Sequence, residues 1–130
     1  MNFLSSFLQP DKALLEDVRM AASVVSTILL ELKEMTKPDV SLNMLDEYAA
    51  RRIVELGATS YNFQYKPDWA QAPYPATICA SLNYEICHAP PRGRSLKNGD
   101  IVKYDLGVRY KSGCGDAALT IAVGEVDNRK

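Results

Sequence analysis

The sequence holds a single histidine and only three cysteines, Cys79, Cys87 and Cys114, no two of which form a CxxC pair. That excludes a disulfide framework and a structural zinc motif of the usual spacing. Neither sign of charge is in excess: 15 Lys and Arg against 16 Asp and Glu leave a formal net charge of −1, without the basic footprint that nucleic acid or an anionic membrane surface requires. Long apolar runs are also missing. No stretch approaches the roughly 20 apolar residues of a membrane span, and the opening "MNFLSSFLQPDK" lacks the basic start, apolar middle and small-residue cleavage site of a secretory leader. These absences predict a cytoplasmic protein with reduced thiols, whose partners are neither nucleic acid nor membrane.

What is present is enough apolar material for one core: 47% of 130 residues are hydrophobic, which predicts a single domain over 1–130. Leu14, Val18, Ala21, Val25, Leu29 and Leu32 recur at spacings of three and four, predicting an amphipathic helix from about Pro10 to Met35, with Pro10 in its first turn. A second helix is expected from Ser41, as N-cap, to Gly57, as C-cap, with Leu45, Tyr48, Ala49, Ile53 and Leu56 on one face. The stretch 58–75 has no clear period and reads as a long irregular connection with a short strand at its start. "PATICASL", residues 75–82, reads as an apolar strand, and the Pro- and Gly-rich "NYEICHAPPRGRSLKNGD" after it as a loop carrying His88. From Ile101 the alternation is strict: Val102, Tyr104, Leu106, Val108 and Tyr110 share one face, and Lys103, Asp105, Gly107 and Arg109 the other. After a "KSGCG" turn, "ALTIAVGEV" makes the second strand of a hairpin. Helices first and strands afterwards make the fold class α+β.

Two acids stand out in the hairpin. Asp105 shares its face with Gly107, and Asp116 precedes Ala118, Thr120, Ala122 and Gly124, small residues that leave room for a ligand. Two carboxylates held close repel unless a cation lies between them, so a divalent metal would account for both. The simplest register opposes this. With Ser112 and Gly113 as turn residues, Asp105 faces Thr120 and Asp116 faces Arg109, an offset of four residues, roughly 13 Å at about 3.3 Å per residue. On spacing alone the acids are either ligands brought together by a bulge near Gly113–Gly115 or two solvated acids of an ordinary hairpin. His88 is either a solvent-exposed loop residue or a hydrogen-bond donor or general acid/base set over a site. Cys79 and Cys87 read as buried small hydrophobes, and "RGRSLKNG" as a solvated turn.

The run "PATICASLNYEICHAPP…LKNGDIVKYDLGVRYKSGCGDAALTIAVGEV" resembles the methionine aminopeptidases of the first type, as does "LLEDVRMAASVVSTILLELKEMTKPDVSLNMLDEYAARRIVELGA" before it, so that the likeness runs from about Leu14 to Val126. The distinctive elements are a cysteine nine residues before the histidine, "NGDIV" entering the strand, and aspartates eleven apart with Gly-Asp at the second. The resemblance implies the pita-bread fold, the creatinase/aminopeptidase architecture. In it two related α+β halves, each with helices packed on an antiparallel sheet, enclose two divalent metal ions, drawn from Co, Mn, Fe or Zn. It implies removal of the initiator methionine from peptide N-termini. By the same resemblance Asp105 matches the acid that chelates one metal, and Asp116 the acid that bridges both. His88 matches the catalytic histidine that also binds substrate, and Cys79 a residue lining the pocket for the methionine side chain.

The pattern is not followed throughout. Ala89 stands where the family commonly has glycine, Ala117 where it has a hydroxyl residue, and "SYNFQYKPDWAQAPY" is longer than the usual connection. The family's other ligands, a histidine and two glutamates, belong to its second half, whereas here no histidine follows His88 and only Glu125 and Asp127 follow Asp116 as acids. The expectation is therefore the N-terminal half of such an enzyme, truncated and inactive as a monomer. Two rival readings are a non-catalytic binding module built on the half-fold, and a homodimer whose paired Asp105 and Asp116 complete a carboxylate site.

Overall fold

The computed structural model describes residues 11–127, which form two helices, α1 (Lys12–Met35) and α2 (Leu42–Glu55), and four strands, β1 (Thr59–Ser60), β2 (Cys79–Leu82), β3 (Ile101–Tyr110) and β4 (Gly113–Ala122). Strand β3 is central. It pairs antiparallel with β4 along one edge, and on the other edge with β2 through Val102–Asp105 and with β1 through Val108 and Arg109. Its Val102, Tyr104, Leu106 and Val108 are fully buried, as the alternation predicts, and face Ile28, Leu32, Leu45 and Ile53 of the helices within one core. Each such side chain contributes about 1.5–3 kcal/mol by leaving water. The Tyr104 hydroxyl, which would be costly to bury alone, donates to Thr36 Oγ1 at 2.9 Å while Thr36 donates to the Leu32 carbonyl at 2.7 Å.

The α+β class, with two helices packed on one antiparallel sheet, is as expected, but several boundaries move. Helix α1 starts at Lys12, with Asp11 as its N-cap accepting from the Ala13 N–H at 2.9 Å; the expected first turn at Pro10 lies outside the described residues. Its buried face is Ala21, Val24, Val25, Ile28, Leu29 and Leu32, whereas Leu14 and Val18, expected in the core, are 42% and 39% exposed. Ser41 is the N-cap of α2 but makes no side-chain cap bond; it pairs instead with Ser95. Gly57, at φ +75°, closes α2 as expected. The strand expected over 75–82 is shortened to Cys79–Leu82, because the Thr77 and Ile78 amides are taken by the Asp46 carboxylate at 2.8 Å each instead of by a neighbouring strand.

The hairpin differs most. Its turn is Lys111 and Ser112, with Lys111 at φ +49°, and β4 begins at Gly113, so that "GCG" belongs to the strand. Helix α1 sets this register. A Cβ on Gly113 would stand 2.3 Å from the Asp17 carbonyl carbon, and one on Gly115 2.7 Å from that of Ala21, so the two glycines are where the helix backbone lies directly on the strand. The Asp17 carboxylate also accepts from the Ser112 amide at 3.2 Å, fixing the turn.

Candidate functional site

In the observed register Asp105 pairs with Ala118, and Asp116 with Gly107, so the acids are diagonal neighbours two positions apart on one face, about 7–8 Å between backbones. No bulge is needed, since ten consecutive residue pairs join the strands without a break. This corrects the four-residue offset that a Ser112–Gly113 turn imposes. Gly107 lies between the acids. A Cβ there would approach the Asp116 carboxylate to 3.3 Å, so glycine keeps the space between the two carboxylates open. Burial pushes the Asp105 carboxyl above the ordinary aspartate range, and the Asp116 charge pushes it further, against the opposing pull of His88 and Lys103. The pair is thus arranged as like charges that a cation would relieve.

Strand β2 adds the next residue on this face: Cys79 is the direct cross-strand partner of Asp105. It is buried, and burial raises its thiol pKa despite a hydrogen bond with Tyr74, so it is an apolar wall and not a nucleophile. Cys87, expected to be buried, is exposed with Cys114, and all three thiols are free. His88 lies in the loop after β2 at φ +57°, a conformation unusual for a residue with a side chain. The structure brings all four expected residues, Cys79, His88, Asp105 and Asp116, to the wall of one cavity of about 620 Å³.

The rest of the wall was not foreseen. Tyr61, Asn62, Tyr65, Trp69 and Tyr74 reach the cavity from the connection after β1. Two backbone bonds, Gln64 N–H to the Tyr74 carbonyl at 2.9 Å and Tyr74 N–H to the Tyr65 carbonyl at 2.8 Å, close this segment into a loop. Tyr61 N–H donates to the Gly107 carbonyl at 2.9 Å, tying the loop to the sheet between the acids. A compositional signal existed: residues 61–75 hold the only tryptophan and three of the seven tyrosines. "RGRSLKNG", expected as a solvated turn, contains Arg94, which is half-buried and fully engaged with Glu85 and backbone carbonyls.

Oxygen donors of this kind suit a divalent ion, but two carboxylates make only one side of a coordination shell. Among the described residues no group of three or more His, Cys, Asp or Glu could hold a metal. Nor is any helix among them long and apolar enough to cross a membrane.

Comparison with known proteins places this arrangement. The model of metallopeptidase family M24 matches residues 16–130. The chain belongs to that family. It is 34% identical over 112 residues to the methionine aminopeptidase of Aquifex aeolicus, a match covering 85% of this chain and 43% of the relative. Against methionine aminopeptidase 1 of Bacillus subtilis it is 34% identical over 111 residues, 85% of this chain and 42% of that one. The crystal structure of the Thermotoga maritima methionine aminopeptidase superposes with a TM-score of 0.85 at 27% identity, over 92% of this chain and 46% of the other. This M24 chain therefore has the architecture of one half of the pita-bread fold, and spans less than half the length of these relatives.

Proposed function

We propose that this M24 chain supplies one wall of a methionine aminopeptidase site, with Asp105 and Asp116 as metal carboxylates, His88 as the catalytic, substrate-binding histidine, and Cys79 in the pocket for the methionine side chain. The observation that carries this reading is the convergence of these four residues on one cavity, with the acids on one face of a single hairpin. When bound, divalent ions such as Mn, Co, Fe or Zn would lower the pKa of a water and polarise the scissile carbonyl. The residues of this chain fit one side of such ions. The aromatic walls of the 61–75 loop suit a thioether side chain, which packs well against rings. The His88 imidazole, at the cavity wall beside the acids, is placed to donate to a peptide carbonyl. The substrate is a peptide beginning with methionine, and the compartment a reducing cytoplasm, for which three free cysteines are suitable.

The shortage of ligands favours a qualification: a monomer of these 130 residues holds a metal and a peptide end weakly and does not hydrolyse it. Turnover needs a complementary set of ligands, from further sequence of the same protein or a second copy. Calorimetric titration of the chain with Mn(II) tests the assignment. Weak binding is expected, lost in both Asp105→Asn and Asp116→Asn and kept in His88→Ala. Binding that survives both aspartate substitutions would overturn the metal assignment, and methionine release from Met-Ala-Ser by a proven monomer would overturn the need for added ligands.

A further inference from the structure

The loop that carries His88 has no regular structure, yet its two limbs are joined by one side chain. Arg94 uses all three guanidinium nitrogens. Nη1 donates to both carboxylate oxygens of Glu85 at 2.8 Å, Nη2 to the Ala80 and Pro90 carbonyls at 3.1 Å each, and Nε to the Pro91 carbonyl at 3.1 Å. Glu85 precedes His88 by three residues, and Pro90 and Pro91 follow it by two and three. Ala80 belongs to β2, immediately after Cys79. One planar group therefore ties the ascending limb, the descending limb and the sheet together. The clamp is itself braced, since Glu85 also accepts from the Leu82 amide at 2.7 Å.

Further contacts close on the histidine from both sides. The Lys103 ammonium donates to the Ile86 carbonyl, the Ala89 carbonyl accepts from the Ala80 amide at 2.7 Å, and the Ala89 amide donates to Ser81 Oγ at 3.4 Å. Between these anchors, Cys87 and His88 are exposed and make no hydrogen bond among the described residues that would hold His88 at its positive φ. A left-handed residue persists only where its surroundings impose the conformation.

We propose that Arg94 is the positioning residue of the site: its guanidinium clamps Glu85, Ala80, Pro90 and Pro91 so that the His88 ring is held at the cavity beside Asp105 and Asp116. The functional value of that position rests on the aminopeptidase reading. The clamp does not.

The test uses the fact that His88 is the only histidine in the chain, so its imidazole signals need no assignment strategy. In Arg94→Ala, the ring carbon-proton signals should shift and broaden, and exchange of the hydrogen-bonded loop amides of Glu85 and Ala89 should rise about tenfold or more, as loss of a charge-assisted hydrogen bond produces. Amides of β3 and β4 should keep their exchange rates. Arg94→Lys discriminates a clamp from a simple ion pair. Lysine retains the charge opposite Glu85 but cannot reach three carbonyls with one planar fork, so the ring signals should remain displaced. Their full recovery in the lysine variant would overturn the proposal, as would unchanged ring signals in a folded Arg94→Ala. Should the alanine variant unfold, Glu85→Gln decides: it weakens the carboxylate arm while keeping an acceptor for Leu82, and must displace the ring in the same direction. Because the readout is ring position and not turnover, its failure is separable from failure of the metal titration above.

Discussion

The two walls of the cavity are built by different physics. The sheet wall, with Cys79, Asp105, Gly107 and Asp116, is set by backbone pairing: once β3 and β4 are in register, each side chain's face and neighbour follow. The loop wall, with His88 and the aromatic residues of 61–75, has no ladder and is held by isolated backbone bonds, such as Tyr61 N–H to the Gly107 carbonyl, and by side chains that take backbone groups as partners, Asp46 for the Thr77 and Ile78 amides and Arg94 for the carbonyls around His88. The first arrangement is cooperative with the core; the second can open locally. The two carboxylates are thus fixed rigidly, and the aromatic side chains and His88 across the cavity adjustably.

Breaking the sheet wall should have the largest effect. Gly115→Val would drive a side chain into the backbone of α1 at Ala21, where even a Cβ has 2.7 Å, and neither element can retreat without unpacking the core. The expected loss is about 3 kcal/mol, read as an earlier denaturant midpoint, with exchange accelerated throughout the sheet. If Gly115→Val left the melting curve unchanged, α1 would not be what fixes the β4 register.

Breaking the loop wall should cost less and stay local. Asp46→Ala leaves the Thr77 and Ile78 amides without acceptors beside buried neighbours, for an expected loss of about 2 kcal/mol. Faster exchange should be confined to residues 74–79, with β3 and β4 amides protected as before. Asp46→Asn keeps one acceptor oxygen and should fall between. A uniform rise in exchange across the sheet would erase the distinction between the walls.

The same contrast explains what could be read in advance. Strand β3 was legible because one face is entirely core, and alternation of Val102, Tyr104, Leu106 and Val108 records that. The helices were legible for the same reason, except at Leu14 and Val18, which keep the periodicity without the burial. The hairpin turn was misplaced by one residue because glycine has two uses. Gly113 satisfies the preference of a turn, but what requires it is the approach of Asp17, ninety-six residues away in sequence, and no local pattern reports such a contact. That one-residue displacement decided whether Asp105 and Asp116 stood four positions apart or two. The clamps on the loop wall were illegible for a related reason: Arg94 and Asp46 act on backbone groups, whose position carries no residue signature.

The smallest effect should come from a group on neither wall. Glu31 joins the two helices behind the sheet, accepting from Arg52 at 2.9 and 3.0 Å and from the Tyr48 hydroxyl at 3.0 Å. The Arg52 hydrogen bonds hold its carboxyl below the ordinary glutamate range, partial burial opposes this, and Tyr48 adds to the lowering. The folded value therefore lies below the unfolded one of about 4.3, and the native state binds fewer protons through that interval. The stabilisation is complete above the unfolded value and is lost as pH falls through the folded one. Glu31→Gln should thus lower the melting temperature slightly at neutral pH and converge with the parent chain in strong acid, with no change in His88 ring signals or in Mn(II) binding at either wall. A difference that grows toward acid would reverse the assigned sign, and a displaced His88 ring would show that the helix joint and the loop wall are coupled through the sheet between them.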